Sequence, residues 1–450
     1  AAVRREYIRP NVRAGATLRL VNRQAQRPVD SVQSVRDCIL GTSIFGTAHM
    51  RGRIAFRALP SMSDARLCID LAGSAASYTV GYQGPARIVS TGNTSITASK
   101  LVVLSDEGFW SGPANAKASA KTRIHSVEKR DGGIGSRLVA KIGSRKAAES
   151  KPAAERVAGR HAADRAARNF DEEVAETLSE GRLNYEQKVR APLVRRGVMP
   201  ADLRFSSSER HVGFQATVVQ SGQLAAGAQD APPLPENDLR VQLHESALSN
   251  FLPLALGGVT LSQETADAPP TISGPAPPWL REAVLRAPKR PSGGPSLADP
   301  NTESSEAAPF KPWALTFNRE APVGVTFDEG AVTLRIRASS LTSEDASYDN
   351  WDFLVTYRLN VRQGGLTLVR EGDIEVFPTF FDPAWDKSMS SQKSGFRSTL
   401  SKNMNARAKA GEGFPAEIPL DPIALPQGDR LDVATLQCDD GWLTIGWDLR

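Results

Sequence analysis

The chain has 450 residues, 40% of them hydrophobic and 23% charged, with a net charge of +5. Mean hydropathy is −0.31 and the pI is about 9.1. This length allows two or three domains with sizeable cores, and no window of about 18 residues is continuously apolar, which excludes a bundle of membrane-spanning helices. Three cysteines, Cys38, Cys68 and Cys438, exclude a disulfide-rich scaffold, and no CxxC pair offers zinc or redox chemistry. The charge is far below the density of a nucleic-acid binder.

Residues 1–36 read as a basic, irregular segment. They lack the apolar stretch of a signal peptide, and the chain starts at Ala1 without Met, as a processed product does. Residues 37–230 read as a β-meander followed by a long charged helix. Ile54, Phe56 and Ala58 alternate with polar neighbours, as do Leu67, Ile69 and Leu71. Short strands continue at about ten-residue spacing, with turns expected at Gly84-Pro85, Gly92-Asn93 and Glu107-Gly108. Cys38 and Cys68 are expected as free thiols, the alternative being a bridge between neighbouring strands.

From 134 to 190 alanine, Arg, Lys and Glu dominate, and Ala163, Ala167, Phe170, Val174 and Leu178 share one helical face. The helix is polarised. Residues 134–168 carry nine Lys/Arg against three Asp/Glu, and residues 169–190 carry three against six. A solvated helix lying across the sheet is the plain reading, and a polyanion-binding helix is the sharper one. Strand character returns at His211 to Val219. Residues 266–312 hold eleven prolines and read as a linker or surface loop. Residues 313–450 form a second β-rich half, with its clearest strand at Phe353 to Val361 and one helix over Ser388 to Ala410.

No assembled chemistry is legible. The histidines His49, His125, His161, His211 and His244 are scattered, and no HExxH, GxSxG or P-loop is present. Gly132-Gly133-Ile134-Gly135-Ser136-Arg137 reads as a turn leading into a helix, with an anion-cradling loop as the alternative. Glu344, Asp345, Asp349 and Asp352 read as an acidic hairpin loop, with calcium as the alternative. Aromatics do not interleave with basic residues, so no stacking groove for single-stranded nucleic acid is expected.

The segment 239–265 differs from the rest. Leu239, Val241 and Leu243 alternate as a half-buried strand. After His244 the residues Ala247, Leu248, Phe251, Leu252 and Ala255 follow a helical stripe, until Gly257-Gly258 stops it. The 18 residues Ser246–Gln263 carry no charge. Pro253 inside this helix removes a hydrogen bond and predicts a kink. Such a helix lines an apolar tunnel or plugs an ordinary core.

VQLHESALSNFLPLALGG resembles the strand-into-helix segment of tubular lipid-binding proteins, the superfamily of the bactericidal/permeability-increasing proteins. The resemblance rests on Ser246, Ala247, Leu248 and Asn250, with a closing glycine at Gly257 or Gly258. DCILGTSIFG and GPARIVSTGNTSITASK resemble exported bacterial proteins of no assigned activity. The resemblance implies an α+β, β-rich fold in which long curved antiparallel sheets wrap one long helix and one shorter helix. It implies further an apolar tunnel for acyl chains, with Leu248, Phe251, Leu252 and Leu256 as lipid-binding residues.

The expectation is therefore a non-enzymatic, exported protein, periplasmic or at the cell envelope. It would bind lipid or another apolar ligand, contact a membrane peripherally, and need no cofactor, metal or specific nucleic acid. A structural or adhesive envelope component with a filled core is the alternative, and a polyanion binder using residues 137–168 is the second.

Overall fold

The structure is a computed structural model that describes residues 7–130, 136–195, 197, 199–227, 231–265, 268, 270–276, 281, 312–343, 346–381, 385, 388–409 and 414–450. It begins with strand β1 (Val12–Thr17) and helix α1 (Leu18–Ala25). Five long strands and one short one follow: β2 (Pro28–Ile39), β3 (Thr42–Leu59), β4 (Ala65–Gln83), β5 (Ala86–Ser105), β6 (Gly108–Ser111) and β7 (Asn115–Lys129). All pairings are antiparallel, in the order β2-β3-β4-β5, with β6 and β7 both pairing β5. Helix α2 (Ser136–Tyr185, 50 residues) lies across this sheet.

Two sequence expectations are corrected here. Within the segment 1–36, residues 12–36 are not irregular, because β1 and α1 run from Val12 to Ala25 and β2 starts at Pro28. β1 is legible only through its partners β9 and β10, which lie about 200 residues away along the chain. Gly92-Asn93 is not a turn but the middle of β5, so the short strands expected on either side of it are one strand of 20 residues. The turns at Gly84-Pro85 and before Gly108 do fall between strands, and Leu40-Gly41 closes the β2–β3 hairpin with both φ values positive (50° and 78°).

Glycines on the inner face let this sheet coil. A Cβ added at Gly46 would sit 2.0 Å from the Tyr78 carbonyl oxygen, and one at Gly52 2.7 Å from that of Ala72. β3 and β4 approach too closely there for any side chain, which is how strong curvature is accommodated.

Strands β8 (Asp202–Ser207), β9 (His211–Thr217) and β10 (Leu239–His244) lead into helix α3 (Glu245–Leu256). The strand-to-helix junction is where the sequence places it. His244 caps α3, its Nδ1 accepting from Ser246 N–H, and the helix runs past Pro253 to Leu256 before Gly258 turns at φ 72°.

Strands β11 (Thr260–Gln263), β12 (Thr271–Ser273), β13 (Trp313–Phe317), β14 (Val323–Asp328), β15 (Ala331–Ser343), β16 (Ala346–Arg362) and β17 (Gly365–Pro378) precede helix α4 (Ser391–Lys409). The last strands are β18 (Glu417–Leu420), β19 (Ile423–Ala424), β20 (Arg430–Asp439) and β21 (Trp442–Leu449). β11 to β18 form one eight-stranded antiparallel sheet. A seven-stranded sheet in the order β19-β20-β21-β10-β1-β9-β8 joins β1 to the last strands, β20 and β21. The expected architecture, long curved antiparallel sheets with a long helix, is the one observed, with a few short helices where a single shorter one is expected. Most of the Pro-rich stretch 266–312 lies outside the described residues.

Under α4 the core is dense. Phe353, Val355, Tyr357, Ile374 and Val376 pack against Leu400 and Ala408. Where β17 bulges away from β16, Asn405 of α4 takes over the freed backbone, accepting from Ile374 N–H and donating to its carbonyl.

Candidate functional site

The inner face of the first sheet can be read row by row from its register. The middle row runs Gln33, Ala48, Ser77, Gly92, Thr122 across β2, β3, β4, β5 and β7. The next row is Val35, Gly46, Thr79, Ser90 and Ile124. On the three central strands, β3, β4 and β5, every one of these positions is Gly, Ala, Ser or Thr. The helix opposite them is equally bare, presenting Ala147, Ala154, Ala158 and Ala162.

Small residues on both walls leave a groove instead of a packed core. Two stretches of it, of about 530 and 270 Å³, share Ile39, Ile44, Thr79, Ser90, Thr122 and Ala158, so they adjoin along the same wall. Cavities of a few hundred Å³ lined mainly by apolar groups are the usual size for small-ligand sites. Three of the hydroxyls inside are satisfied within the sheet: Thr79 and Ser90 are 3.0 Å apart, and the Ser77 hydroxyl donates to the Gly92 carbonyl. The surface offered to a ligand is mainly apolar, with Gln33, Lys146, Glu155 and Asn169 also lining it.

One end of the groove is plugged. Phe170 and Val174 of α2 pack with Ile69, Leu71, Ala98 and Val102. Beside this plug the Lys100 ammonium, only 5% exposed, donates to Asp171, which also accepts from Ala114 N–H at 2.8 Å. The Lys100 hydrogen bond holds the Asp171 carboxyl below its ordinary pKa. The other end opens toward the β4–β5 turn and the start of α2, where Leu138 and Ile142 are exposed.

The two long sides of the groove differ. Along β7 the helix is pressed close: a Cβ at Gly159 would lie 2.9 Å from the Ala118 carbonyl oxygen, and one at Gly143 2.8 Å from Val127 Cγ1. Along β2 a polar latch bridges the gap. Asp37 meets His161 Nδ1 at 2.8 Å and Arg165 at 3.9 Å, and Arg165 also donates to the Arg36 carbonyl.

The residues predicted as lipid-binding sit elsewhere. Leu248 and Leu252 pack against a second core cluster that includes Val325, Phe327, Val332 and Leu359. Phe251 and Leu256 are half-buried on the same helix, and neither stretch of the groove is lined by any of the four. Ala247, Asn250 and Ala255 are the buried positions of α3, and Asn250 donates to the carbonyls of Val218 and Leu224.

The expected acidic loop is not one loop. Asp349 is exposed, while Asp352 is buried in β16, accepts from Thr379 Oγ1 at 2.7 Å and faces Arg337 at 3.5 Å. Glu344, Asp345 and the glycine turn 132–135 lie outside the described residues. Among the described residues no group of three His, Cys, Asp or Glu could hold a metal ion, and no helix is long and apolar enough to cross a membrane. Cys38, Cys68 and Cys438 are free, Cys38 being on β2 and Cys68 on β4 with β3 between them. Burial pushes the Cys438 thiol up to about 11.

No protein-family profile matches the chain, and no curated protein sequence matches it. Among solved structures it is similar to the crystal structure of a lipopolysaccharide binding protein. The match has 10% identity, covers 98% of this chain and 99% of that one, and has a TM-score of 0.28. A superposition at that score is too loose to carry residues across.

Proposed function

We propose that this protein is a non-enzymatic holder or carrier of an acyl-chain lipid, exported to a bacterial envelope, with the ligand lying in the groove between α2 and the first sheet. The observation that carries this reading is the pair of adjoining cavities between α2 and the small residues of β3, β4 and β5. An unfilled apolar groove of this length is costly to leave in water, and each CH₂ buried there gains about 0.8 kcal/mol. No acid–base or nucleophilic arrangement is needed for such a role. In this reading Leu248 and Leu252 serve the packing of the C-terminal half.

Solvent extraction and native mass spectrometry of the purified protein test it directly. A co-purifying lipid mass is expected, together with saturable uptake of a fluorescent fatty acid that Ser77→Leu abolishes. Absence of both lipid and uptake sinks the proposal.

A further inference from the structure

We propose that the cleft on the outer flank of the first sheet, where α2 meets β7, docks the protein on an anionic phospholipid surface. The cleft has a volume of about 870 Å³, and four cations line it: Lys117 and Lys121 from β7, and Arg156 and Arg160 from α2. A spacing of four residues keeps each pair on one face, both on a strand and on a helix. All four side chains are exposed, and Arg123 continues the same face of β7.

The acid that lines the cleft is engaged elsewhere. Glu155 lines the cleft but accepts from Thr122 N–H at 2.6 Å and faces Lys151. Glu149, on the same face of α2, is paired with Arg145 at 3.1 Å. None of the four cleft cations forms an ion pair among the described residues. Four uncompensated cations around one concavity repel each other, and a polyanionic partner relieves that repulsion.

The choice of a lipid surface comes from what flanks the cleft. Leu138, Ile142, Arg145, Glu149, Pro152, Arg156 and Arg160 recur every three or four residues, so they form one stripe of α2. Leu138 and Ile142 are 63% and 58% exposed at the start of that stripe. An apolar patch continuing into a basic one suits a bilayer interface, where side chains enter the headgroup layer and cations meet phosphates. A nucleic-acid strand would want aromatic platforms, and no aromatic residue lines the cleft.

Co-sedimentation with phosphatidylglycerol-containing vesicles, against pure phosphatidylcholine, tests the docking. Wild type is expected to pellet with the anionic vesicles at low ionic strength and to be released as salt rises. The charge reversals Lys117→Glu/Lys121→Glu and Arg156→Glu/Arg160→Glu should each weaken binding by about tenfold or more. Leu138→Ser/Ile142→Ser should weaken it less.

Fatty-acid uptake by the two charge-reversal variants without vesicles reports on the groove, which none of their four residues lines, so failure of docking and failure of the proposed function are separable. Equal pelleting of wild type and both charge reversals overturns the proposal, as does absence of wild-type binding. Release of the vesicles by millimolar inorganic phosphate at constant ionic strength overturns it in favour of a free-phosphate site. Tighter binding of a DNA duplex than of vesicles at the same salt overturns it in favour of nucleic acid.

Discussion

Both halves of this chain lay a helix across a long antiparallel sheet, but one pairing is filled and the other is hollow. Beneath α4 the facing residues are Phe353, Val355, Tyr357, Ile374 and Val376, each at most 1% exposed. Beneath the middle of α2 the facing rows are Ala48, Ser77, Gly92, Gly46, Thr79 and Ser90, opposite an alanine stripe. The same layer geometry thus yields a core or a groove according to side-chain volume alone. Where large residues return in the first half, at Leu71, Phe170 and Val174, the groove ends. Packing density is a property of each row of the sheet, and function can be placed by leaving rows empty.

The contrast is most easily broken from the filled side. Phe353→Ala removes a fully buried ring and should cost about 3–5 kcal/mol, read as a fall in urea midpoint, without loss of fatty-acid uptake by the remaining folded protein. A variant that stays folded yet loses uptake would show that the halves are not separable in this way.

The plug of the hollow half comes next. Asp171→Asn leaves the Lys100 ammonium without its carboxylate and should cost about 1–3 kcal/mol at neutral pH. That is less than for a fully buried pair, because Asp171 is 37% exposed. Its folded pKa lies below its unfolded value, so its contribution is fully present above about pH 4 and fades as the pH falls through the folded pKa. The variant should therefore lose less stability on acidification than wild type does. Parallel acid titrations of the two would show this, and identical slopes would remove Asp171 from the account.

A matched pair of insertions sharpens the comparison itself. Ala338→Leu, at a position 1% exposed in the C-terminal core, should overpack it at about 1–3 kcal/mol. Ser77→Leu, pointing into the groove, should change stability by less than about 1 kcal/mol, because the added methylenes fill space already present. It should nonetheless abolish fatty-acid uptake. If the two insertions cost the same, the groove is no emptier than the core.

Much of this was legible before the structure, and the reasons for the rest are specific. Strand β10, helix α3 and the glycine stop appear in the sequence because strand and helix periods change at a single residue, His244. The length of α2 and its buried residues Phe170 and Val174 follow from a 3.6-residue stripe. The groove was missed because apolar periodicity marks what is packed, whereas a groove is marked by small residues at inward positions. The runs GSAASYTVG and STGNTSITAS carry that signal, but alternating Ala, Ser, Thr and Gly also describe a surface strand. Only the register shows that the small residues of β3, β4 and β5 fall in the same rows. β1 was missed for a different reason, its hydrogen bonds being entirely to distant strands.

The smallest expected effect concerns the asymmetry of the groove's sides. Gly143 and Gly159 let α2 rest directly on β7, whereas on the β2 side the helix is held by Asp37 through His161 and Arg165. A partly exposed ion pair of this kind is worth about 0–1 kcal/mol, so Asp37→Ala should barely move the unfolding midpoint. If ligand enters sideways between α2 and β2, the same substitution should speed both loading and release of a fluorescent fatty acid, leaving its equilibrium affinity nearly unchanged. Stopped-flow fluorescence separates the rates from the affinity. Unaltered rates would place entry at the open end beside Leu138 and Ile142, since that end does not involve Asp37. In a Cys38→Ser background, a short crosslink between cysteines placed at 37 and 161 gives the converse. It should slow loading if the seam is the port and leave it untouched if the end is.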